Sequence, residues 1–199
     1  MPERLAATSP LDDLWQAALP APTPALRVSV ADGLRVVVIR HLPGGILAAN
    51  EALAAHRLHP VPAPGTCVGD DPWQVWLGPS ESLLLTTNSD LADRMLAAFS
   101  PGGHPLICAL DTSAAWLVFD LRGAGVDELL PRLLDDNAIP RHPGLGVPTR
   151  FMDIRAVVVR LGPERVWVAV DRSHGGSTAL WIGHAWSAAQ AEDASRVLP

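Results

Sequence analysis

Apolar residues along this chain fall in short runs, separated by Gly, Pro and polar clusters, and their spacing alternates between strand-like and helix-like. Leu26–Val30 and Leu34–His41 read as strands, with Asp32-Gly33 between them as a hairpin signal. Residues 46–58 (ILAANEALAAHRL) have helical spacing. Trp73–Leu77 and Ser82–Thr87 form a further strand pair around Gly78-Pro79-Ser80-Glu81. Asn88 or Ser89 then caps a helix, DLADRMLAAF, that stops before Pro101-Gly102-Gly103. The second half repeats this order. Leu106–Leu110 and Ala114–Leu121 are strands, and VDELLPRLL after Gly125 is a helix with Pro131 near its first turns or at a kink. Phe151–Leu161 and Val166–Val170 are strands, and a last helix lies near Thr178–Glu192.

Two local matches accompany the repeated order. Leu161-Gly162-Pro163 opens the same series as Leu77-Gly78-Pro79, 84 residues later, and Leu121–Val126 follows Leu42–Ile46 by 79. The pattern predicts an α+β fold of two similar lobes, 26–100 and 105–192. Each would be an antiparallel sheet with helices on one face, since strands joined by short turns cannot be parallel. Residues 1–25 hold Pro2, Pro10, Pro20, Pro22 and Pro24 and read as an arm, either a frayed terminus or a segment wrapping a neighbouring subunit through Leu11, Leu14 and Trp15. A second proline cluster, 59–65, marks a loop running to Pro72, and residues 193–199 read as a tail.

Composition narrows the chemistry. Of 199 residues, 15 are basic and 21 acidic, a net charge of −6, which argues against a nucleic-acid footprint. All the basic residues are arginine, and there is no tyrosine, so a P-loop lysine, a lysine Schiff base and a tyrosine nucleophile are excluded. Only 18% of residues are charged, which suits a chain that hides surface against a partner. Cys67 and Cys108 make neither a disulfide framework nor a four-ligand zinc site. We expect both as free thiols, Cys67 reactive in a loop and Cys108 shielded in a strand. The acidic N-terminus has no long apolar stretch, the apolar runs are too short to span a membrane, and a reducing cytoplasm is the expected compartment.

Candidate catalytic groups are sparse. His56 and His59 stand at helical spacing for a shared metal, but they run into the proline loop without a carboxylate or thiol cluster. Ser173-His174 is the one Ser/His adjacency, and capping of a helix start by Ser173 accounts for it. Asp70-Asp71 and Asp135-Asp136 read as solvated loop carboxylates, and Gly44-Gly45 and Gly175-Gly176 as turns. No catalytic, cofactor-binding or metal-binding residue is assigned. Seven tryptophans against three phenylalanines suggest core packing with a minority at an interface. Trp73 and Trp76 cannot share a strand face, so one of them is the interface candidate.

Trp76-Leu77-Gly78-Pro79-Ser80-Glu81-Ser82-Leu83-Leu84 resembles a W-L-G-P-x-E-x-L-L signature of the gamma subunit of heterotetrameric sarcosine oxidase. Asp111-Thr112-Ser113, WLVFDLRGAGVDELL, Asp136, Pro148-Thr149-Arg150 and Val168–Ser173 follow in the family's order, so the resemblance spans residues 26–190. It implies a fold related to the folate-binding domain of aminomethyltransferases and a non-catalytic structural subunit of a complex that oxidatively demethylates sarcosine or a related N-methyl amine. The resemblance further implies alpha, beta and delta partner subunits that carry NAD, tetrahydrofolate, FAD, FMN and zinc, with none of these held by this chain. The alternative is a stand-alone folate-binding YgfZ/aminomethyltransferase-like protein, although such chains are longer. An independent hydrolase would rest on Ser173-His174 alone.

Overall fold

The computed structural model describes residues 13–100 and 104–197. Ten strands form two antiparallel sheets of five. One sheet holds β2 (Arg35–His41), β3 (Cys67–Val68), β4 (Trp73–Gly78), β5 (Glu81–Thr86) and β6 (Ile107–Asp111), in the order β3-β4-β5-β2-β6. The other holds β1 (Arg27–Val30), β7 (Trp116–Arg122), β8 (Gly146–Phe151), β9 (Ile154–Gly162) and β10 (Arg165–Asp171), in the order β1-β7-β10-β9-β8. The helices are α1 (Asp13–Gln16), α2 (Ile46–Ala55), α3 (Ser89–Ala98), α4 (Val126–Leu129) and α5 (Gly175–Val197).

The layering follows from strand alternation. Val36, Val38, Val75, Leu77, Leu83 and Leu85 of the first sheet meet Val118, Val157, Val159, Trp167 and Ala169 of the second in one buried cluster, so the sheets pack face to face. Their other faces are covered by helices. Val37, Ile39 and Leu84 pack under Leu53, Leu91, Ala92 and Met95 of α2 and α3. Phe119, Val158 and Val168 pack under Leu129, Ile182 and Trp186 of α4 and α5. The result is a helix–sheet–sheet–helix sandwich, an α+β fold with helices on one face of each sheet.

The two sheets are copies of one another with their first strands exchanged. β1 pairs with β7, and β6 pairs with β2. Each exchanged strand crosses over through the same bond: the Ala31 amide donates to the Val118 carbonyl at 2.8 Å, and the Thr112 amide to the Val36 carbonyl at 2.9 Å. The hairpins β4–β5 and β9–β10 carry a register shift at the same place, beside Gly78↔Glu81 and Gly162↔Arg165, 84 residues apart. The ends of β2 and β7 are 81 apart and the starts of α2 and α4 are 80 apart, because the β2–α2 connection is one residue longer than the β7–α4 connection.

Several sequence expectations are corrected. The sheets do not follow the lobe limits 26–100 and 105–192 at the start of either lobe, since β1 belongs to the second sheet and β6 to the first. Asp32-Gly33 makes no hairpin; Gly33, at φ +71°, turns the chain from one sheet to the other, and tertiary pairing overrides the local turn signal. The helix expected over VDELLPRLL is α for one turn and 3-10 over Leu130–Arg132, with Pro131 in its first positions. β8 lies outside the strands expected from the spacing; Pro148 stands within it, and an edge strand tolerates a missing amide. The supposed tail from 193 is helical to Val197, and Gly175-Gly176 open α5 instead of making a turn. Nor do residues 13–25 trail as an arm. Trp15, Ala18, Leu19 and Ala25 pack against the second sheet's helix layer, and a methyl group on Gly176 would stand 2.6 Å from the Trp15 ring.

Candidate functional site

Matching strand positions carry charges at the ends of the two packed sheets. In the first repeat, Arg40 at the end of β2 bonds Glu81 at the start of β5, Nε to Oε1 at 2.7 Å. In the second, the corresponding Arg122 and Arg165 both face Asp120, 4% exposed, with Nη2–Oδ2 distances of 2.7 and 2.8 Å. Burial opposes ionisation of Asp120, but the Arg165 and Arg122 guanidinium groups outweigh it and hold the carboxyl below the usual carboxylate range. Arg165 also stacks over Trp167, 5.4 Å from the ring centre.

A cleft of about 440 Å³ opens at the Arg40–Glu81 end of the sandwich, lined by Trp116, Arg155, Asp171, Ser173 and His174 among others. Two Asp-x-Ser turns border it. The Ser113 amide and hydroxyl donate to Asp111 at 3.0 and 2.6 Å, and the Ser173 amide and hydroxyl donate to Asp171 at 2.9 and 2.5 Å. The Arg172 Nε–H donates to the Ala114 carbonyl at 2.9 Å and ties the two turns together. Burial opposes ionisation of Asp111, yet the Ser113 and Arg35 bonds leave its carboxyl lowered; at Asp171 the Ser173 bonds do the same. Asp171, not Ser173, is therefore the helix cap here. The Ser173 hydroxyl is committed to Asp171, so the Ser173-His174 adjacency gives no nucleophile–base hydrogen bond. Among the described residues, no three His, Cys, Asp or Glu side chains gather as a metal site requires. No helix among them is long and apolar enough to cross a membrane.

A second groove, about 330 Å³, shares Arg40 and Glu81 with the cleft and runs over Leu42, Leu106, Ile107 and Cys108. Beside it, Leu42, Ile46 and Leu47 are exposed. None of these residues is among the expected interface residues, although the sequence carries a signal: α2 (ILAANEALAA) has one ionisable residue in ten, and α3 has three.

The expected interface residues are scattered instead. Leu11 lies outside the described residues, as does the side chain of Leu14. Trp15 is docked on α5 of its own chain. Trp73 is turned inward against Trp167, ring centres 4.5 Å apart and edge to face, and Trp76 is half-buried on the other face of β4. The cysteines are both free but with roles reversed. Cys67 is buried, which pushes its thiol up to about 12, and Cys108 is half-buried in the groove wall.

These paired sheets, exchanged strands and outer helices define an α+β fold shared with aminomethyltransferases. The chain is similar to the glycine cleavage system aminomethyltransferase T of Bartonella henselae, with a TM-score of 0.54 and 11% identity, covering 85% of this chain and 47% of that one. It therefore spans about half of that protein's length. The likeness to a chain of the heterotetrameric sarcosine oxidase from Corynebacterium sp. U-96, solved in complex with pyrrole 2-carboxylate, is much fuller. The TM-score is 0.77 and the identity 26%, over 92% of this chain and 96% of that chain. The resemblance carried by Trp76–Leu84 thus extends over the whole fold. No family model and no curated protein matches the sequence.

Proposed function

We propose that this protein is the non-catalytic structural subunit, of gamma type, of a sarcosine oxidase-type complex that oxidatively demethylates sarcosine or a related N-methyl amine with folate as one-carbon acceptor. The observation that carries this reading is mutual coverage: the match to a chain of a heterotetrameric sarcosine oxidase takes in nearly all of both chains. The cleft chemistry agrees with it, because the Ser173 hydroxyl serves as a turn-closing donor to Asp171. In this reading, alpha, beta and delta subunits in the same cytoplasmic complex hold NAD, tetrahydrofolate, FAD, FMN and zinc.

The test is co-expression with the flavin-bearing subunits of a sarcosine oxidase encoded by the same genome. A stoichiometric complex containing this chain is expected, together with a colourless and inactive chain when it is purified alone. A stoichiometric flavin spectrum or sarcosine turnover in the single chain overturns the reading. Stoichiometric tetrahydrofolate binding by the chain alone, with no assembly, moves it to the stand-alone folate-binding alternative.

A further inference from the structure

The two repeats differ most where their first helices begin. In the second, Val126 opens α4 and is 1% exposed, because Trp186 of α5 lies across the preceding Gly125; a methyl group there would stand 2.5 Å from the Trp186 ring. In the first, Ile46 opens α2 and is 45% exposed. Trp186 is the twelfth residue of α5, whereas α3 stops after ten, where Phe99 turns into the core and the chain leads on to β6. The place over Gly45 is taken by Leu106, itself only half-buried.

The second positions of these helices sharpen the contrast. Asp127 has 69% of its side chain exposed and Leu47 is 72% exposed. Equal exposure is met by a carboxylate in one repeat and by a leucine in the other. The longer β2–α2 connection adds Leu42, 56% exposed, and the apolar groove of Leu106, Ile107 and Cys108 continues the surface to the Arg40–Glu81 pair.

We propose that this surface is a subunit-docking site, and that its occupant is an apolar helix of a larger partner subunit. That helix lies over the start of α2 as the far half of α5 lies over the start of α4, and an aromatic side chain on it enters the groove beside Leu42 and Leu106. The proposal rests on the complex reading above. The internal copy shows which kind of element completes this layer. Among the described residues a second copy of the chain has no exposed aromatic side chain to offer as the anchor: its tryptophans and phenylalanines are buried or half-buried, with Trp186 committed to its own α4. An aromatic anchor in an apolar pocket, with little charge around it, is also where binding energy concentrates.

The experiment uses Leu47→Asp, which copies the second repeat, alone and combined with Leu42→Ser, in the full chain. Affinity for the flavin-bearing subunits is measured by titration, alongside sedimentation of the chain by itself. A charge placed in an apolar contact lowers affinity on the order of 100-fold, while the circular dichroism and melting of the isolated chain stay unchanged. Unchanged affinity in both variants overturns the site but leaves the complex reading standing. A wild-type chain that fails to join those subunits at all overturns the complex reading and the site with it. A wild-type chain that self-associates, and that Leu47→Asp makes monomeric, overturns the assigned occupant.

Discussion

The second repeat covers the outer face of its sheet from within its own chain, and the first leaves the start of α2 bare. Their inner faces keep one framework and differ in the charges set on it. Val38 and Asp120, Arg40 and Arg122, and Glu81 and Arg165 stand at matching register positions, and the remaining inward positions are apolar in both. Each inner face is the other's packing partner, so a change of shape in one must be met in the other. Outer layers have no such obligation. The second repeat extends its last helix to 23 residues and lays Trp186 into the layer, where Trp15 of the N-terminal segment joins it; the first ends its helix at ten and keeps leucines at the surface.

The largest expected effect comes from breaking the cover of the second repeat. Trp186→Ala removes a ring that is 4% exposed and leaves a cavity against Gly125, Val126 and Leu129. A loss of about 3–5 kcal/mol is expected by urea denaturation. Leu106→Ala, at the matching place over Gly45, removes a half-buried side chain and should cost less than about 2 kcal/mol. Equal losses would mean that the two outer layers bear load alike and that the asymmetry is superficial.

An intermediate effect tests the charge arrangement that distinguishes the inner faces. Asp120→Asn leaves Arg122 and Arg165 facing each other without the carboxylate that joins them. Both guanidinium groups keep some solvent contact, so a cost of about 2–3 kcal/mol is expected. The pH dependence has a definite sign. The Asp120 carboxyl is lowered in the folded state, so its contribution is complete above the unfolded value of about 3.9 and is lost as pH falls through the lower folded value. Asp111 and Asp171 act in the same direction. The melting temperature should be flat from neutral pH to about 5 and fall below about 4. In Asp120→Asn that acid fall should be shallower. A wild-type profile that keeps rising towards low pH would contradict the clamp.

Much of this asymmetry was open to a sequence reading, and its limits were physical. The element order, the duplication and the Asn88 cap rest on local signals, and the Asn88 side chain does accept from the Leu91 amide at 3.0 Å. The strand exchange left no such trace. Four residues separate β1 from β2, and Asp32-Gly33 looks like a hairpin there, because only long-range pairing decides which sheet a strand joins. The packing of the expected interface residues is decided by the same long-range contacts. Large aromatic side chains are the ones a core recruits first, and Trp15 and Trp73 pack within the chain, while Trp76 stays half-buried on the other face of β4. The useful signal was a missing charge. An amphipathic helix on a surface carries a polar stripe, and α2 offers only Asn50 and Glu51.

The smallest effect is also the most discriminating. Exchanging the second residues of the two opening helices should give unequal results, although both positions are equally open. Asp127 accepts a bond from Arg160, which is 2% exposed and whose guanidinium also donates to the carbonyls of Pro140 and Pro163, at 2.5 and 2.6 Å. Asp127→Leu removes the carboxylate bonded to the buried Arg160 guanidinium, and a loss of about 1–2 kcal/mol is expected. Leu47→Asp, by contrast, removes a side chain that is 72% exposed and adds a carboxylate in the first turn of a helix, where the helix dipole favours negative charge. The isolated chain should change by less than about 0.5 kcal/mol, and any change should be a gain. Paired denaturant titrations of the two variants decide the matter. If Leu47→Asp costs as much as Asp127→Leu, Leu47 is holding its own fold, and the bare surface of the first repeat is structural.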